Sequence, residues 1–255
     1  MNYMKTFQYV FDSPKWMGNL LAAIICILVP VVGPIVLLGY GFVIIEALHR
    51  RKDSLYPDFD TDQLSDYLTR GLWPWIVAVI ARLPLIFLAV LLYVFMFAGM
   101  IFASENGGVL VVLLLFCVFF VAILLLSMLL GFVLIPLVLR AGLMQDFREA
   151  FSWAFVKDFL ARTWLEILLV QLFFLASGMA LNLAGLLLCF VGAYPAAALL
   201  ILADYHALHQ LYELYLERGG TPIPFKSESL IDEEEDVPMV DEAAPSEDIQ
   251  APEGP

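Results

Sequence analysis

The chain has 255 residues, 62% of them hydrophobic, with a mean hydropathy of +0.88 and a formal net charge of −13. A soluble domain is nearer half apolar, and several runs here exceed the roughly 20 apolar residues that cross a hydrocarbon core; a soluble class is excluded. Nucleic-acid binding needs a basic face, and the balance here is acidic.

The charge is unevenly placed. From Gly219 to Pro255 there are eleven acidic residues and one lysine, against fifteen acids and twelve bases in the rest. The expected class is all-α: a polytopic transmembrane helical bundle over 1–218 with amphipathic interfacial helices, and a disordered acidic tail over 219–255.

In chain order, residues 3–16 place Tyr3, Phe7, Val10, Phe11 and Pro14 at helical spacing. This predicts an amphipathic helix lying in the interface, anchored by Lys15 and Trp16. No cleavable leader follows, so the first apolar segment is expected to act as an uncleaved anchor. That segment, 17–48, holds 29 uncharged residues from Met17 to Ile45. Pro30, Gly33, Pro34 and Gly39 interrupt it. Each piece is too short to cross alone. Two readings remain: one long kinked span, or a re-entrant hairpin of two half-helices.

His49-Arg50-Arg51-Lys52 ends the segment, and a loop with five aspartates leads to a short predicted helix over 63–69. A lead-in over 71–83 carries Arg82 and is set off by Pro84, because proline disfavours helix at the preceding residue. Spans are expected over about 76–103, 109–139, 164–182 and 185–206. A second interfacial helix is expected over 141–162. The turn between the last two spans is placed at Ser177–Gly185, where small and polar residues gather.

Loops 49–70 and 140–163 each hold four Lys or Arg, and the turn 104–108 holds none. The positive-inside rule makes both loops and the tail cytoplasmic in a multi-pass cell-membrane protein. A hairpin at 17–48 would put Lys5 and Lys15 on the same side, so charge favours the hairpin and length permits either. The two ends of the chain also echo each other. Val32-Gly33-Pro34 resembles Val191-Gly192-Ala193-Tyr194-Pro195, and Ala47-Leu48-His49 recurs as Ala207-Leu208-His209. Repeats with broken helices recur in transporters.

These residues carry a family resemblance: Phe11…Pro14-Lys15-Trp16; Pro30-x-x-Gly33-Pro34…Gly39-Tyr40; Leu55-Tyr56-Pro57-Asp58-Phe59-Asp60; Arg70-Gly71; and Leu83-Pro84. In that order they resemble a prokaryotic integral membrane family of unknown function over roughly residues 5–215. The resemblance implies a multi-pass bundle and no activity.

No catalytic or cofactor-binding constellation is evident, and Cys26, Cys117 and Cys189 read as small buried hydrophobes. Arg82, Glu46, Glu166 and Asp204 are the ionisable groups nearest the hydrocarbon, where a charge is by default a functional candidate. All four also sit near segment ends, where snorkelling is cheap. Arg82 with Glu166 is the natural pair. His206, His209 and Glu213 share an exit helix; without a HExxH spacing no metal site is assigned. The expected partners are the lipid bilayer and, for the acidic tail, a protein. The expected function is a non-enzymatic membrane scaffold or accessory factor; the alternative is a small transporter, channel or lipid-handling protein. A polar cavity reaching Gly33–Gly41 beside Arg82 or Glu166 would favour transport, and a filled bundle would favour a scaffold.

Overall fold

The computed structural model describes residues 1–50, 56–105, 108–187 and 192–225. Among these, every regular element is helical: α1 (Tyr3–Asp12), α2 (Trp16–Leu28), α3 (Val32–Arg50), α4 (Leu64–Glu105), α5 (Val109–Met144), α6 (Phe147–Ala150), α7 (Trp153–Leu187) and α8 (Ala193–Glu217). Among the described residues, α3, α4, α5 and α7 are long and apolar enough to cross a bilayer. The protein is a multi-pass membrane protein by that measure.

The apolar segment 17–48 is two helices, not one kinked helix. α2 stops at Val29, whose N–H returns to the Cys26 carbonyl (3.2 Å). Pro30 cannot donate to a helix, and Val31 takes a left-handed φ of +68°. Gly33 then sits on the Cys26 backbone, where a Cβ would overlap. The two helices therefore pack back to back. Asn19, at the start of α2, accepts from the Phe59 N–H (2.8 Å) beyond the end of α3, while the Tyr40 hydroxyl donates to the Pro57 carbonyl (2.7 Å).

Glycine contacts set the direction of the next helices. Gly39 lies on the Tyr67 backbone and Gly71 on that of Ile35, so α3 and α4 run antiparallel at close range. Small residues permit such approach between membrane helices. Gly41 meets the Tyr205 ring and His49 meets Glu213, so α3 and α8 run parallel. Gly185 abuts Gly192 while Glu166 pairs with Arg218, which makes α7 and α8 antiparallel. The ends of α2, α4 and α7 and the starts of α3, α5 and α8 thus share one end of the bundle. His49, Glu213 and Arg218 mark the other.

α4 passes through Pro74 and Pro84 without ending. The separate 63–69 helix and 71–83 lead-in expected from sequence are one 42-residue helix, roughly 60 Å long. Membrane helices tolerate proline because neighbours and local adjustments satisfy the freed carbonyls. The interfacial helix expected over 141–162 is likewise absent as a unit. Gln145, at φ +50°, ends α5, and the Asp146 carboxylate caps α6 by accepting from the Arg148 N–H (2.8 Å). α7 then runs unbroken from Trp153 to Leu187, through the turn expected at Ser177–Gly185. The Asn182 side-chain amide donates to the Gly178 carbonyl one turn back (2.8 Å). Its polarity is absorbed inside the helix and does not end it. α7 ends at Leu187 and its antiparallel neighbour α8 begins at Ala193; of the echoed pair, Val191 lies outside the described residues.

The expected interfacial helix 3–16 is α1, whose Thr6, Tyr9 and Val10 are buried. It ends at Asp12 and covers α8 rather than only lipid: Tyr9 stacks on His206 (4.5 Å between centroids). Of the cysteines, Cys26 is buried as expected, Cys117 is exposed on the apolar face of α5, and Cys189 lies outside the described residues. Disorder expected from Gly219 onward does not hold for the first residues. The Ile223 N–H donates to the Tyr212 hydroxyl (2.9 Å), Ile223 is buried, and Phe225 stacks on His49 (5.1 Å). Those two apolar side chains anchor the stretch just after α8. Residues 226–255 lie outside the described set.

Candidate functional site

Three polar features stand out among the apolar walls, and each involves residues singled out in the sequence. The first is structural. Glu46 is 1% exposed and bridges α3 to α4 through Arg70, itself buried, while Arg50 reaches the same carboxylate from one turn on (2.9 Å). Two guanidinium groups around one carboxylate offset its desolvation. Glu46 is therefore a buried pin between helices, not a boundary residue.

The second is a partly open cavity of about 540 Å³ lined by residues of α2, α3, α4, α5, α7 and α8. Its walls are mostly apolar, among them Ile27, Leu37, Trp75, Leu134, Ile201 and Leu208. Pro34 lines it, as do Arg82 and Asp204. The helix break thus contributes a wall: the hairpin fold brings Ile27 and Pro34 to the same space. Arg82 and Asp204 are both exposed, and both line the cavity. Neither has an ion-pair or hydrogen-bond partner among the described residues. The pairing of Arg82 with Glu166 expected from sequence does not occur. Glu166 is held by Arg218 (2.9 Å from Nη1 to Oε2), because α8 returns antiparallel along α7 and delivers its C-terminal cation there.

The third feature is a histidine cluster at the opposite end of the bundle from the helix tips. His49 Nδ1 lies 2.5 Å from Glu213 Oε1, and His209 Nε2 lies 3.6 Å from the same oxygen. His206 stands one turn before, with its Nδ1 3.0 Å from the Gln210 amide nitrogen. The Gln210 carbonyl oxygen in turn accepts from the Asn2 N–H (2.7 Å). Burial lowers the His209 pKa to about 4; Glu213 pulls the other way and His49 adds to the lowering. Asp204, on the same helix, lines the cavity and is not part of this cluster. Residues 22–190 match the family profile described as "Protein of unknown function (DUF4013)".

The chain belongs to the DUF4013 family.

The match covers more than half of the chain, which is the family signal read in the order of its proline and glycine motifs. No curated protein and no solved structure matches this DUF4013 chain. The matched region contains the helix break, the Glu46–Arg70 pin and Arg82, while Asp204 and the α8 histidines lie beyond it. Sequence spacing places His209 and Glu213 on one helical face, but the third member, His49, comes from a helix 160 positions earlier. The repeated Ala-Leu-His was the one available signal. It places one histidine at the same end of two parallel helices.

Proposed function

We propose that this DUF4013 protein is a non-enzymatic lipid-handling membrane protein that admits an amphiphile into the cavity between α3, α4 and α8. The observation that carries this reading is the pair of opposite charges, Arg82 and Asp204, in an apolar chamber and without partners among the described residues. A charge kept in the membrane without a partner is costly and marks function by default. An apolar wall with a few placed polar groups is the usual form of a small-molecule site. A zwitterionic headgroup answers both charges at once: its anionic group on Arg82, its cationic group on Asp204, its chain along Leu37, Leu134 and Leu208. A scaffold would have filled this space with side chains.

The orientation belongs to the same reading. The end bearing His49, Arg162 and Arg218 faces the cytoplasm and the helix tips face outward, which agrees with the basic loops at 49–70 and 140–163. Lipids co-purified with the protein in mild detergent and identified by mass spectrometry test the reading. Zwitterionic phospholipid should be retained by the native protein and reduced at least tenfold in R82A and D204N. Blocking the chamber with A78W should do the same. Equal retention by all four proteins would sink the proposal.

A further inference from the structure

We propose that His49, His209 and Glu213 form a site for a divalent transition-metal ion of the zinc class, clamping α3 to α8. The ligand types are those such ions take: two imidazole nitrogens and one carboxylate oxygen. Their donor atoms all lie within 4.8 Å of one another. Bonds of about 2.0–2.1 Å place neighbouring ligands of a tetrahedral ion somewhat over 3 Å apart, so a small side-chain adjustment closes the set.

Three further observations support the assignment. His209 Nε2 is buried and makes no hydrogen bond among the described residues; a hydrogen-bonded His49–Glu213 pair alone leaves that nitrogen unsatisfied, whereas an ion satisfies it. The Glu213 carboxylate has no lysine or arginine partner among the described residues, only the two histidines. The His49 ring is fixed in its plane by Phe225 on one side and by the Tyr212 ring, 5.6 Å away. Beside the donors opens a pocket of about 210 Å³ lined by Met1, Gln210 and Glu217. It leaves a fourth position open to water or to Glu217. The ion would join helices far apart in the chain, and none of its three ligands lines the lipid chamber, so this inference does not rest on the lipid reading.

The test uses the full chain purified in detergent and stripped with chelator. Cobalt(II), added as a spectroscopic probe, should give the intense visible bands of a tetrahedral site and saturate at one ion per chain. Zinc should displace it. H49A, H209A and E213Q should each weaken zinc binding at least about 100-fold, since even the partners behind metal ligands cost 10–100-fold. H206A should leave the affinity unchanged, and H49Q serves if H49A fails to fold. Absence of stoichiometric binding would overturn the site. So would binding that persists in all three ligand variants, which would place the ion on the acidic tail.

Discussion

The α2–α3 hairpin and the α4–α5 hairpin are written in the same apolar alphabet and used in opposite ways. The most apolar stretch of α3 is 72% buried within the protein, against 11% for α4 and none for α5. α3 carries glycines at its contacts, a buried glutamate and the hydroxyl of Tyr40. α5 carries Leu110, Leu114 and Leu129 outward. Hydropathy places both near a membrane, but only packing separates the helix that faces protein from the helix that faces lipid. Where protein is the neighbour, polar groups are present and paired; where lipid is the neighbour, they are nearly absent. The lipid-facing tip can vary in sequence so long as it stays apolar, whereas α3 is fixed residue by residue.

That contrast can be broken by substitution. The largest effect is expected at Glu46. E46A leaves the buried Arg70 without its carboxylate partner and should cost about 3–5 kcal/mol, read as thermal unfolding in detergent. L113A, at an exposed position on α5, should change stability by less than about 0.5 kcal/mol. Equal losses would erase the distinction between the hairpins. Next comes Gly39→Leu, which drives a side chain into the Tyr67 backbone. It should cost about 1–3 kcal/mol or more, while Gly99→Leu, with open space around it, should be near neutral. Smaller, and of opposite sign, is Val31→Gly. It relieves a left-handed valine worth about 1–2 kcal/mol and adds unfolded-chain freedom of about 0.5–1 kcal/mol. A net gain of up to about 1.5 kcal/mol should appear as a raised melting temperature.

The smallest effect concerns the anchor of the hairpin's open end. Partial desolvation pushes Asp58 upward, but bonds from Ser13, Lys15 and Asn19 outweigh it and hold the carboxyl below its ordinary 3.8. A lowered carboxyl contributes stability above the unfolded value and loses it as pH falls through the folded one. D58N should therefore cost under about 1 kcal/mol at neutral pH, and the difference from the native protein should fade in pH-dependent unfolding as pH drops through the folded-state value, below the ordinary 3.8.

Much of the architecture was legible because membrane crossing is a matter of length and polarity. Pro30 and Pro34 marked the break correctly, since a lost donor cannot be restored where the chain also reverses. The same residue type at Pro84, and Ser177-Gly178 in α7, were read as breaks and are not; inside a helix flanked by other helices, freed carbonyls and small side chains find partners. Pairing was the least legible layer. Arg82 and Glu166 are each conspicuous alone, yet which cation reaches which carboxylate depends on helix direction, and Arg218 arrives first. Glu46 was visible as a charge near hydrocarbon, but its partners come from the next turn and the next helix. His49 joins His209 only because α3 and α8 run parallel, a relation that periodicity within one helix does not contain.

The contact between Asn2 and Gln210 has a consequence for the order of assembly. Its partners are separated by 208 positions, and α8 is the last of the described helices to leave the ribosome. Until it does, α1 has no surface to cover, the Glu213 end of the histidine cluster is missing, and the chamber beside Arg82 lacks the wall that carries Asp204. The growing chain therefore enters the bilayer with that chamber open sideways to lipid. The wall that carries Asp204 is therefore the last part of the chamber to be put in place.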